Sequence, residues 1–129
     1  MGTYAHAAYE FYAAQAFGAG EVRRTTGLDL YFVEEIKGVV LRAASVAGVA
    51  DVKVEYETSH DGVNWDHKDD NPDVIASTLL AKPNNAEGWN AYSVPPPFNQ
   101  WIRFVVTNLN EVVADTLVDL KLVYGERNN

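Results

Sequence analysis

Ser59-His60-Asp61, inside the stretch YETSHDGVNW (56–65), names the hydroxyl, imidazole and carboxylate of a hydrolytic triad. Triad chemistry requires those groups to converge in space. Consecutive residues at a strand end point to alternating sides instead. Asp61-Gly62 is a strong turn pair, because glycine takes positive φ without strain. The stretch therefore predicts a hairpin. Paired carboxylates, a nucleophile elbow and a glycine-rich phosphate loop do not occur elsewhere in the sequence. The expectation is a protein that is not an enzyme.

Asp61, Asp66, Asp69, Asp70 and Asp73 crowd one region and raise the question of calcium. Asp69-x-Asn71-x-Asp73 fits the first, third and fifth positions of a calcium loop. Position six is then Val74 rather than Gly, Pro72 stiffens the turn, and position twelve is Leu80 rather than Glu. That departs from an EF-hand. The expectation is a solvated acidic loop, with a calcium site of another geometry as the alternative. His67 has no second histidine at ligand spacing. No metal and no other cofactor is expected.

Trp65, Trp89 and Trp101 offer flat faces on which a sugar could stack. Trp101 opens an alternating strand. Trp65 and Trp89 flank loops among Asn64, Asp66, Glu87 and Asn90, polar neighbours that a glycan surface would use. Aromatics in such places also serve as plugs of a sandwich core. Pro95-Pro96-Pro97 resembles a ligand for an adaptor domain, but reads more simply as a rigid extended entry to the strand that follows.

These residues hang on a β framework. Asp51 to Glu57 alternates charged and apolar, so Val52, Val54 and Tyr56 share one face. Trp101 to Thr107 sets Ile102, Phe104 and Val106 opposite Arg103, and Val118, Leu120, Leu122 and Tyr124 share a parity. Leu28 to Val33 and Ile36 to Ala44 read as strands, the second with Gly38 as a bulge. Glu21 to Thr26, Val74 to Leu80 and Asn90 to Val94 are weaker strand candidates. Turn residues separate the runs at Gly27, Ala47-Gly48, Asp61-Gly62, Asn84-Asn85 and Asn108 to Asn110. The prediction is all-β: a single, jelly-roll-like β-sandwich over residues 21–129.

Residues 1–20 behave differently and are expected to form an N-terminal arm. Tyr4 to Phe17 contains six alanines, which favour a helix. Yet Tyr4, Tyr9, Phe11, Tyr12 and Phe17 would point all round a helix at about 100° per residue. Read as extended chain, Tyr9, Phe11, Ala13 and Phe17 share a parity, though Tyr12 does not. The arm either completes its own sandwich or docks on a neighbouring subunit. Tyr4, Tyr9, Phe11, Tyr12 and Phe17 are the candidate inter-subunit residues, and Trp65 with Trp89 the candidate glycan surface.

A chain of 129 residues is one domain and contains no cysteine for disulfides or thiolate ligands. A net charge of −8 opposes nucleic-acid binding, and Arg23-Arg24 is the one basic doublet. No stretch approaches the roughly 20 apolar residues of a membrane span. The start, MGTYAHAAYEFYAAQAFGAG, lacks the basic residues and apolar run of a secretory signal, so synthesis in the cytosol is expected.

The order YETSHDGVNW, then YSVPPPFNQWIRFVVTN, then LVDLKLVYGE resembles the discoidin or galactose-binding-like jelly rolls over residues 51–125. Ser59, Asp61, Gly62, Trp65, Pro95 to Pro97, Arg103 and Tyr124-Gly125 carry that resemblance, which implies a glycan-binding module. With its aromatic arm, the chain is also similar in style to small β-sandwich structural proteins of tailed-phage virions. That resemblance implies a capsid decoration, cement or head–tail assembly subunit located in the virion. It would form a homo-oligomer whose partners are itself and other virion proteins.

Overall fold

The structure, a computed structural model, describes residues 6–45, 50–66, 74–80, 90–94, 100–110 and 116–126. Nine strands lie among them: β1 (His6–Phe17), β2 (Val22–Arg24), β3 (Leu28–Asp29), β4 (Val33–Ser45), β5 (Ala50–Ser59), β6 (Val74–Leu80), β7 (Asn90–Tyr92), β8 (Trp101–Asn108) and β9 (Thr116–Glu126). One sheet has the order β1-β9-β4-β7. The other has the order β2-β8-β5-β6, with β3 also on β8. All the pairings are antiparallel. With β2 and β3 sharing one position, this is the eight-position order of a jelly roll. The all-β sandwich read from the sequence is the fold.

The alternating residues do what their periodicity dictates. Tyr56 lies opposite Phe104, and Val54 opposite Val106. In the facing sheet Leu122 pairs with Val39, Leu120 with Leu41, and Val118 with Ala43. All nine residues predicted for the core, Val52, Val54, Tyr56, Ile102, Phe104, Val106, Val118, Leu120 and Leu122, are buried. Each such side chain removed from water contributes roughly 1.5–3 kcal/mol. Gly38 sits at a register shift between β4 and β9, with φ +155°, and a Cβ there would lie 2.8 Å from the Tyr92 carbonyl oxygen. The predicted bulge is therefore present.

One expectation needs correction. Leu28 to Val33 is not one strand, because a 3-10 turn at Leu30–Phe32 interrupts it. The Asp29 carboxylate accepts the Tyr31 N–H at 3.0 Å, and the Leu30 N–H goes to the Gln100 carbonyl at 2.7 Å. These local bonds satisfy a backbone that has left the ladder.

Of the readings open for the N-terminal segment, extended chain that completes its own sandwich is the one observed: residues 6–17 form β1, paired along β9. The ladder explains why the aromatics fit no single period. Tyr9 pairs with Leu122, Tyr12 with Leu120, Gln15 with Val118 and Phe17 with Thr116, with register shifts between Glu10 and Tyr12 and between Tyr12 and Gln15. Each shift inserts one extra residue on β1 and resets the parity. Helix propensity loses here to the hydrogen-bonding edge that β9 presents.

The turn from β1 to β2 is fixed by side chains. The Gly18 N–H donates to Glu21 Oε1 at 2.7 Å, and buried Asn108 donates through Nδ2 to the Gly18 carbonyl at 2.9 Å.

Candidate functional site

The Ser59-His60-Asp61 segment closes the turn after β5, with an isolated bridge from Ser59 to Trp65. The Ser59 hydroxyl lies 2.5 Å from the Asn64 carbonyl and 3.0 Å from Asp61 Oδ1, and accepts the Gly62 N–H at 2.9 Å. Asp61 Oδ1 accepts the Val63 and Asn64 N–H groups, both at 2.8 Å, while Oδ2 accepts Asn64 Nδ2 at 2.8 Å. Those backbone bonds, led by the one from Asn64, hold the Asp61 carboxyl far below the usual aspartate range. The His60 side chain is 74% exposed and lies 3.6 Å from Asp61. No imidazole stands between hydroxyl and carboxylate. The three residues build a hairpin, as their adjacency predicted.

Trp65 and Trp101 pack beside this turn, each over a glycine. A Cβ on Gly27 would lie 2.8 Å from Trp65 Cζ2, and one on Gly62, at φ +79°, would lie 2.9 Å from Trp101 Cε2. The Arg103 guanidinium covers the Trp65 ring, 4.3 Å from its centroid. Trp65 is thus half-buried with one face occupied, which makes it a poor open platform for a sugar. Trp89, Tyr4, Pro95 to Pro97, His67, Asp69, Asp70 and Asp73 lie outside the described residues. Among the described residues no group of three or more His, Cys, Asp or Glu side chains is placed to hold a metal ion. No helix among them is long and apolar enough to cross a membrane.

Sequence reading did not single out the residue at the centre of this cluster. Glu57 lies on the outward side of β5 yet is 2% exposed, directly across from Arg103 in the ladder. Its Oε1 accepts Arg103 Nε at 2.7 Å and Arg24 Nε at 3.3 Å, while Oε2 is buried with no hydrogen-bond partner. Burial, the largest single influence, raises the Glu57 pKa. The two guanidinia together outweigh it, so the group titrates below its ordinary value. As a carboxylate held by two guanidinia it fixes Arg103 over Trp65. The signal was present as opposite charges on the outward parity of two strands, but cross-strand register is not readable from either strand alone.

The β1 aromatics divide. Phe17 is buried, and its ring meets Tyr12 at 5.5 Å, with the Arg23 guanidinium 5.3 Å from its centroid. Phe11 is half-buried and packs edge-on against Phe104 at 5.2 Å. Both pack into the chain's own core; Phe17, 1% exposed, has no surface left for a partner, while Phe11 keeps part of its ring exposed. Tyr12 is half-buried, and Tyr9 is 37% exposed.

Among the described residues no strand pairs with the outer edge of β1. The outward face of its sheet places Ala8 beside Val123 and a row of Ala16, Leu117 and Ala44. Its charges are matched: Glu10 with Lys121 at 3.8 Å, and Asp119 with Arg42 at 3.1 Å. Among the described residues the charges on this face nearest β1 are therefore balanced, on a chain of net charge −8.

Against models of known protein families and against curated proteins, the sequence finds no match.

Proposed function

We propose that this chain is a non-enzymatic structural subunit of a virus particle, a capsid decoration or cement protein or a head–tail assembly subunit. It works through contacts with copies of itself and with other virion proteins. The observation that supports this reading most is the outer edge of β1, with which no strand among the described residues pairs. It is twelve residues long, rich in alanine and aromatics, and carries Glu10 as its one acidic side chain with no Lys, Arg or Pro. Soluble proteins that stay monomeric blunt such edges with charge, proline, bulges or short length; the bulges of β1 lie past Glu10 and leave His6 to Glu10 regular. The matched charges beside it supply a surface on which acidic molecules can meet without like-charge repulsion. Light scattering on the full chain should report an oligomer at micromolar concentration. A strict monomer across the accessible range would count against this reading.

A glycan-binding module is the second reading, supported by half-buried Trp65 next to the partly exposed guanidinium of Arg103. The cover that Arg103 places over the indole weighs against it. A glycan array separates the two: the second reading requires a hit that Trp65→Ala or Trp89→Ala abolishes while the fold survives.

A further inference from the structure

We infer that β1 pairs edge to edge with β1 of a second copy, antiparallel, about a two-fold axis passing at Ala8. This would join two four-stranded sheets into one of eight strands. The inference rests on the reading that the chain works by subunit contact, and it names the contact.

The partner's identity follows from backbone geometry and charge. An antiparallel edge turned by a two-fold axis presents its own N–H and C=O pattern to itself, so a second copy is complementary without further design. Net charge of −8 on each copy means that self-association needs a neutral contact strip, and β1 with its Glu10–Lys121 pair is such a strip. The edge formed by β2 and β3 is broken at Thr25 to Gly27 and carries Arg23 and Arg24, while β7 is only three residues long. Both suit pairing less well.

The position of the axis follows from the bulges. Past Glu10 the register of β1 shifts twice, and Ala14 adopts φ +47°. The longest stretch of β1 with unbroken one-to-one register is His6 to Glu10, five residues centred on Ala8. Pairing about that centre sets Ala8 against Ala8, Ala7 against Tyr9 and His6 against Glu10 of the other copy. No like charges meet. Ala7 and Tyr9 lie on one side of the strand, opposite Tyr124 and Leu122. The exposed part of the Tyr9 ring would thus cover the small Ala7 of the second copy, a favourable cross-strand pair.

The chain contains no cysteine, so single-cysteine variants read the register directly. Facing residues in an antiparallel pair have Cα atoms about 4.5–5.5 Å apart, within the roughly 4.4–6.8 Å that a disulfide spans. Under mild oxidation Ala8→Cys should give a covalent dimer at least several-fold faster than Ala7→Cys, Tyr9→Cys or Glu10→Cys. Mixing Ala7→Cys with Tyr9→Cys should give a linked heterodimer that neither variant forms alone. Ala8→Lys would set two ammonium groups face to face, so dimerisation should weaken by roughly ten-fold, with the circular dichroism spectrum of the fold retained.

An oligomer in which His6 to Glu10 yields no preferred self-link, or one centred elsewhere, overturns the pairing and leaves the particle-subunit reading standing. So does one linked instead through Ser77→Cys on β6. A chain monomeric at every concentration overturns both.

Discussion

Glu57 carries a physical constraint that its neighbours must satisfy. A carboxylate withdrawn from water on the outward side of a sheet survives only with a counter-charge, and Arg103 Nε at 2.7 Å supplies most of it. Replacing Arg103 with Leu leaves only the weaker contact from Arg24. Removing one partner of a buried pair costs about 3–5 kcal/mol; since Arg24 remains, we expect a loss near the lower end, about 3 kcal/mol, read from urea unfolding. Trp65 fluorescence should change in the same variant, because the cation over its ring is gone.

Ala14 makes the opposite prediction. Its left-handed backbone, φ +47°, is held by a bond from its N–H to Asp119 Oδ1 at 2.8 Å. An L-residue in that region carries about 1–2 kcal/mol of strain that glycine lacks. Ala14→Gly should therefore raise stability by about 0.5–1 kcal/mol once the added freedom of the unfolded chain is allowed for.

Acid sensitivity also belongs to single residues. Asp61 and Glu57 titrate below their ordinary values of 3.8 and 4.5 when folded. The unfolded chain then takes up protons first as pH falls, so stability present above about pH 5 is lost progressively below it. Asp61→Asn should flatten part of that slope in thermal melts between pH 5 and 2. An unchanged slope would mean that other carboxylates dominate.

At the scale of elements, β1 shows how the N-terminal segment completes its own sandwich. Its ladder along β9 and the burial of Phe17 and Phe11 against the core bind it to the sandwich. Losing the Phe11–Phe104 edge-to-face contact forfeits roughly 0.5–1.5 kcal/mol beyond the area effect. Deleting residues 1–17 also exposes the β9 edge and the core beneath it. The truncated chain should unfold or aggregate, seen as loss of β signal in far-UV circular dichroism. A truncated chain that keeps its fold and melting temperature would show that β1 adds nothing to the sandwich.

For the whole molecule, long-range charge governs assembly. Copies of net charge −8 repel one another, and that repulsion is screened over about 10 Å at 0.1 M salt. If the contact strip is neutral, raising sodium chloride from roughly 50 to 300 mM should increase the weight-average mass at fixed protein concentration. A contact built on exposed ion pairs would respond in the opposite sense.

The sequence by itself determined the sandwich, its core and the hairpin at Ser59 to Trp65. Side-chain alternation and turn chemistry are local rules, and each strand carries its own copy. Residues 74–80 and the bulge at Gly38 were legible for the same reason. The tertiary structure alone decided that the aromatic N-terminal segment is a strand, because two bulges erase its period and only β9 shows which residues they realign. It alone brought Arg24 and Arg103 together on Glu57 and set Arg103 over Trp65, because register between strands is set by packing and not by any one of them.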